Sequence, residues 1–223
     1  MISPEEGSFL AELTLEERAD LERRGRRRRW DTAATLFSEG DLSTWVFVLL
    51  DGRVKASSHG ENGTEILLAV RGMGALLGEV SAIDGLPRSA SVVALEPLEA
   101  LVLSAEEFLS FLQANWRVSR VLMRMLCERM RDADRKRTEF GIFDATSRVA
   151  HRLVELADRF GEPYQGSVMI TLHLTQEELA GWVGASREAV SKALRSLRSR
   201  GWIETGRRTV IVHNLEALRK RAR

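Results

Sequence analysis

The chain has 223 residues, 44% hydrophobic and 29% charged, with 33 Lys+Arg against 32 Asp+Glu and a formal net charge of +1. That length and apolar fraction suit one or two domains with real cores, and neither a secretory leader nor a bilayer-length apolar run is visible. The single Cys127 excludes a disulfide framework or a cysteine-held iron–sulfur cluster within one chain and fits a reducing cytoplasm, and the four scattered His (His59, His151, His173, His213) have no metal-ligand spacing.

Residues near Phe9 to Arg24 have the pattern of a short amphipathic helix. The basic run Arg23-Arg24-Gly25-Arg26-Arg27-Arg28-Arg29 follows. It could touch nucleic acid or an acidic partner; the preferred reading is a solvated edge leading into the first strand. Glycine then sets the rhythm: eight of the 17 glycines fall between Gly40 and Gly85. Between and beyond them lie short apolar runs at Trp45–Leu50, Ile66–Val70, Val92–Ala94 and Ala100–Leu103. Short strands separated by turn signals predict an antiparallel roll or barrel, with a hairpin tip at Gly60-Glu61-Asn62-Gly63.

The segment Gly78-Glu79-Val80-Ser81-Ala82-Ile83-Asp84-Gly85-Leu86-Pro87-Arg88-Ser89-Ala90 sits between those strands. Glycine lets a backbone approach a ligand closely. Glu79 can accept from ribose hydroxyls, Arg88 offers a fixed fork for a phosphate, and Ser89 adds a donor. The segment is a candidate site for an anionic nucleotide; a surface ion pair is the plain alternative.

From about Ala105 the pattern turns helical, and Glu106 to roughly Phe143 is almost free of Gly and Pro. Leu122, Leu126, Met130 and Ala133 recur at helical spacing. So long a stripe suits a helix that pairs with its twin; packing within one subunit is the alternative. Gly141 marks a hinge, and Asp144 is an N-cap for a helix with Val149, Leu153, Leu156 and Phe160 on one face. Ser167–His173 alternates like a strand. The domain boundary is therefore placed near Gly141–Asp144.

The C-terminal part carries the output. Thr175 and Glu178 form a T-x-x-E capping box, Gly184 suits a left-handed helix end, and Ser186 is an N-cap. In the following helix Val190, Ala193, Leu194 and Leu197 should face the core. Arg187, Glu188, Ser191, Lys192 and Arg195 fall on the other face. Arg187 suits guanine and Glu188 suits cytosine in the major groove, while Lys192 and Arg195 suit phosphate or weaker base contacts. A solvated surface helix is the alternative, but the double cap, the Gly turn and the hairpin after them favour a helix-turn-helix. That hairpin, Trp202–Val212 with Gly206-Arg207-Arg208 at its tip, reads as a wing aimed at phosphates. Charge follows the same division: residues 144–223 hold 14 Lys+Arg and 9 Asp+Glu, giving +5, and the remainder carries −4.

GEVSAIDGLPRSASVVA closely resembles the phosphate-binding cassette of cyclic-nucleotide-binding domains. With the long helix and LTQEELAGWVGASREAVSKAL, the chain resembles, over essentially its whole length, the CRP/FNR family of bacterial transcription regulators. The likeness is strongest to actinobacterial cAMP receptor proteins, through FDATSRVAHRLVELADRFG and GASREAVSKAL with RGWI. The resemblance implies an α+β fold: residues 1–105 a cyclic-nucleotide-binding-like β-roll, 106–143 a dimerisation helix and hinge, and 144–223 a winged helix-turn-helix. It implies a cytoplasmic homodimer on a palindromic operator with TGTGA-like half-sites, cAMP as effector, no obligatory cofactor, no catalytic residue or metal, and RNA polymerase as partner. By position, Gly78 and Glu79 would meet the ribose, Arg88 and Ser89 the cyclic phosphate, and Arg129 would reach towards the nucleotide. Arg187, Glu188 and Lys192 match base-reading positions, and Thr175, Gln176 and Ser186 match positions near phosphate. Where cAMP-responsive members place a Thr and then a Ser or Asn to recognise adenine, this chain has Ala133 and Asp134. Three readings follow: a regulator gated by a cyclic nucleotide, a DNA binder whose roll is structural or answers another ligand or partner, and an enzyme. The last has no P-loop, nucleophile–base pair or metal cluster behind it.

Overall fold

The computed structural model describes residues 4–42, 44–60, 65–171 and 174–222. The chain divides into two compact units, Met1–Ser58 with Leu68–Asp132, and His59–Leu67 with Ala133–Arg223.

In the first unit the predicted opening helix is two helices, α1 (Phe9–Glu12) and α2 (Leu15–Arg24). The break is chemical. Thr14 starts a fresh capping box: its hydroxyl accepts from the Glu17 amide at 3.2 Å, and the Glu17 carboxylate accepts from the Thr14 amide at 2.8 Å. The arginine run, expected to lead into the first strand, is split: Arg23 and Arg24 end α2, and Arg26–Arg29 are themselves that strand, β1 (Arg26–Trp30). Then come β2 (Thr35–Phe37), β3 (Trp45–Asp51), β4 (Val54–His59), β5 (Glu65–Arg71), β6 (Leu76–Leu77), β7 (Ser91–Ala94) and β8 (Leu98–Ser104). They form two four-stranded sheets, ordered β1-β8-β3-β6 and β2-β7-β4-β5. The four predicted apolar runs lie in β3, β5, β7 and β8; β4, VKASSH, has no apolar run to announce it. The expected hairpin tip at 60–63 falls mostly outside the described residues.

Strand alternation sorts the cores. Phe47, Leu49, Leu98 and Ala100 meet Phe37, Val54, Val92 and Ala94 of the other sheet. Their neighbours Val46, Val48, Leu101 and Leu103 turn to the opposite side, against Phe9, Leu21, Phe108 and Phe111. Each Val, Leu or Phe among them, fully buried, contributes about 1.5–3 kcal/mol of transfer free energy.

The long helix predicted from Glu106 is α4 (Ala105–Ala114) and α5 (Trp116–Ile142). Asn115 separates them: its side-chain amide donates to the Phe111 carbonyl at 2.9 Å, a local bond that competes with the helix ladder. Val118, Val121, Leu122 and Met125 of α5 are buried in the first unit. Met130, from the predicted stripe, is 67% exposed. The helix runs on through the boundary at Asp132 into the second unit.

The second unit contains α6 (Ala145–Phe160), β9 (Gly161–Tyr164), β10 (Ser167–Thr171), α7 (Gln176–Val183), α8 (Arg187–Ser199), β11 (Ile203–Gly206), β12 (Thr209–Val212) and α9 (Leu215–Arg221). His173, which ended the predicted strand, lies outside the described residues. The wing hairpin β11–β12 belongs to a four-stranded sheet, β11-β12-β10-β9, larger than the lone hairpin expected. Val149, Leu153 and Leu156 of α6 are buried with Ala180, Val183, Val190, Leu194 and Leu197 of α7 and α8.

Candidate functional site

The Gly-Glu to Arg-Ser segment forms a short helix, α3 (Glu79–Asp84), with left-handed glycines at both ends, Gly78 at φ 80 and Gly85 at φ 72. Arg88 then folds back. Its backbone is clamped by the loop before β3: the Arg88 amide donates to the Asp41 carbonyl at 2.9 Å, and the Gly40 amide donates to the Arg88 carbonyl at 2.8 Å. Its side chain is buried, 2% exposed, over the Phe37 ring at 4.2 Å. The guanidinium donates to the Gly78 carbonyl at 2.8 Å and to the Trp45 carbonyl. Burial pulls the Arg88 pKa down, opposed by the carboxylates of Glu79 and Asp41.

Glu79 is buried as well and forms an ion pair with Arg129 of α5, which also donates to the Leu76 carbonyl at 3.0 Å. Gly78, Glu79, Arg88 and Arg129 therefore gather in one place, with Ser89 exposed beside Arg88. Asp134 is exposed and belongs to the second unit. What the residue pattern alone did not supply was the company Arg88 keeps. The Phe37 ring and the Trp45 carbonyl come from strands 51 and 43 residues upstream, and only the sheet topology brings them near.

In the second unit each predicted cap is present. Thr175 and Glu178 bond reciprocally at 3.1 and 2.6 Å, Gly184 is left-handed at φ 57, and Ser186 accepts from the Ala189 amide at 3.2 Å. Val190, Ala193, Leu194 and Leu197 of α8 are buried, while Arg187, Glu188, Lys192 and Arg195 are exposed and Ser191 is half-buried. The Glu188 carboxyl is held below its ordinary range, first by its own backbone N–H at the helix start and then by the Ser186 hydroxyl. An ionised carboxylate is an acceptor only, which is what a cytosine amino group requires. Thr175, Gln176, Arg207 and Arg208 are exposed, Arg208 at φ 62 in the tight wing turn.

Two arginines outside the predicted set hold this arrangement. Arg148 of α6 donates to the Val183 carbonyl at 2.6 Å and the Gly184 carbonyl at 3.2 Å, fixing the turn between α7 and α8. Arg198 donates to the Thr205 hydroxyl at 3.0 Å and joins α8 to the wing. Neither has a local sequence signature, because each partner is fixed only by the tertiary fold.

A β-roll with a phosphate-type cassette, followed by a capped helix pair and a basic wing, defines a two-part regulator architecture. A cyclic nucleotide-binding domain model matches residues 27–115, and a Crp-like helix-turn-helix domain model matches residues 147–221. The chain is 34% identical over 189 residues to a CRP-like cAMP-activated global transcriptional regulator of Mycobacterium tuberculosis, covering 85% of this chain and 84% of that one. It is 33% identical over 193 residues to the cyclic AMP receptor protein of Thermus thermophilus, covering 86% of each. Among solved structures, the c-di-GMP responsive global regulator CLP of Xanthomonas campestris superposes with a TM-score of 0.77 at 22% identity, over 90% of this chain and 99% of that one, a likeness of fold. This chain belongs to the CRP/FNR family of transcription regulators.

Proposed function

We propose that the protein is a homodimeric, sequence-specific DNA-binding regulator whose affinity for DNA is set by a cyclic nucleotide, cAMP in the first instance, held in the β-roll. The observation that carries this reading is α8: four buried apolar residues on one side and exposed Arg187, Glu188, Lys192 and Arg195 on the other, behind a doubly capped turn. Arg187 and Glu188 read base edges, with Ser191 beside them. Lys192 and Arg195 add phosphate or weaker base contacts, and Thr175, Gln176, Ser186 and Arg207 hold phosphates and set the register. A dimer then presents two such helices about 34 Å apart to a palindromic site with TGTGA-like half-sites.

The gate is Gly78, Glu79, Arg88, Ser89 and Arg129, with Asp134 at the base-facing position. A buried guanidinium held by carbonyl dipoles gains a full opposite charge when a cyclic phosphate arrives. The nucleotide shifts an existing equilibrium by binding the DNA-competent state more tightly. Residues 1–105 are the sensor, 106–143 the dimerisation helix and hinge, and 144–223 the DNA reader. The protein has no catalytic role, works in the cytoplasm and meets RNA polymerase at its promoters. Among the described residues no helix is long and apolar enough to cross a membrane.

A second reading keeps the DNA output and removes the nucleotide. It is favoured by Ala133 and Asp134, which stand where a Thr and then a Ser or Asn would recognise adenine, and by the Glu79–Arg129 pair, which already satisfies the ribose-facing carboxylate. Gel shifts on a TGTGA palindrome decide between the two. Under the first reading cAMP tightens binding, Arg88→Ala abolishes that response, and Arg187→Ala costs about 1–3 kcal/mol of base discrimination. Affinity indifferent to every cyclic nucleotide tested establishes the second.

A further inference from the structure

The basic run of β1 is split by the alternation of the strand. Arg27 and Arg29 turn to one face and pair with Glu99 at 3.2 and 2.7 Å. Arg26 and Arg28 turn to the other, with Trp30, and there line a cavity of about 630 Å³ together with Trp45 and Phe47 of β3, two strands over in the same sheet. That volume is in the range of small-molecule sites. The cavity is aromatic as well as cationic. Trp30 meets Phe47 edge-on with centroids 5.9 Å apart, Arg28 lies 5.0 Å from the Trp30 ring, and Trp45 is 51% exposed. Arg24 and the carboxylate Glu107 also line it; they pair with each other at 3.5 Å, and Arg24 is further engaged by Asp20. Among the described residues, Arg26 and Arg28 have no carboxylate partner.

Arg26 and Arg28 have an exposed indole beside them, and the cavity's one carboxylate, Glu107, is taken up by Arg24; this combination suits one ligand chemistry. A flat aromatic body stacks on the indole wall, and an attached anion takes the guanidinium forks. We propose that this cavity is a binding site for a small planar aromatic anion, with an arylcarboxylate as its simplest form. It is separate from the phosphate cassette: none of Gly78, Glu79, Arg88, Ser89 or Arg129 lines it. The two are nonetheless neighbours, because the backbone carbonyl of Trp45 accepts from Arg88.

The test is a titration of the full chain with 2-naphthoate, followed by calorimetry and by tryptophan fluorescence. The expected result is saturable binding at one site per chain, with neutral 2-naphthylmethanol weaker by at least about tenfold. Arg26→Gln with Arg28→Gln should weaken 2-naphthoate by at least about tenfold, and Trp45→Ala by a similar factor. Arg27→Gln, on the outer face of the same strand, should leave affinity unchanged. The altered side chains at positions 26, 28 and 45 are solvent-exposed, so the melting curves of these variants should stay close to that of the parent. The proposal is overturned by any of three results: no saturation up to about 10 mM, equal binding of acid and alcohol, or affinity that survives both the double variant and Trp45→Ala.

Discussion

Gly78 and Arg88 are shaped to each other. A Cβ added at Gly78 would lie 2.3 Å from Arg88 Nη1 and 3.0 Å from the Trp45 carbonyl, at a φ of +80 that side chains disfavour. Gly85 has a comparable φ of +72 but nothing within 4 Å. Both alanine variants carry the conformational cost of about 1–2 kcal/mol. Gly78→Ala should lose roughly 1–2 kcal/mol more, because a buried guanidinium must move. Equal denaturant midpoints for the two variants would show that the fit is not tight. Glu17 makes a second residue-scale prediction. Its pKa is lowered from 4.5 to about 2, chiefly by the Arg117 side chain, which donates at 2.8 Å. A carboxyl depressed in the folded state stabilises above its unfolded value and loses that contribution as pH falls from about 4.5 towards 2. Glu17→Gln should therefore melt below the parent at pH 6, and the gap should close by about pH 2.

At the scale of elements, what was legible in the sequence was whatever three or four consecutive residues decide. The caps at Thr175, Gly184, Ser186 and Asp144 are of this kind, and so are the apolar stripe of α8 and the apolar runs in β3, β5, β7 and β8. The elements that escaped depend on distant partners. β4 is a strand because β7 pairs with it, and β1 is a strand, despite four arginines, because β8 pairs with it and Glu99 neutralises two of them. Within the Gly78–Ser89 segment the residue types were readable, but the carbonyls that receive Arg88 were not. Arg152 makes the same point inside the second unit. It is buried at 2% exposure over the Trp182 ring, and it pairs with Glu139 near the end of α5 and with Glu155 on α6. Removing Glu139 leaves the buried Arg152 with Glu155 as its remaining carboxylate. Glu139→Ala should therefore cost about 1.5–3 kcal/mol, the worth of a charged hydrogen bond, and adding Arg152→Met, which removes the buried charge itself, should recover part of it. A double variant no more stable than the single would show that the pair is a net stabiliser.

Over the whole molecule, charge divides along the chain, with the basic excess in residues 144–223. DNA affinity should therefore fall steeply with salt, and Arg207→Ala should reduce the slope of log K against log salt by about 0.9 for each half-site, without changing base preference. A changed preference would place Arg207 on a base edge instead. One last feature lies on α5. Met123, Cys127 and Met130 are exposed and recur four and three residues apart, along one line of the helix. Sulfur is the most readily modified atom a protein surface offers, and two thioethers flanking a lone thiol make this line a chemical recorder. If α5 lies against its twin there, iodoacetamide should label Cys127 more slowly as protein concentration rises, and peroxide should spare Met130. If labelling is independent of concentration, the pairing runs along another face.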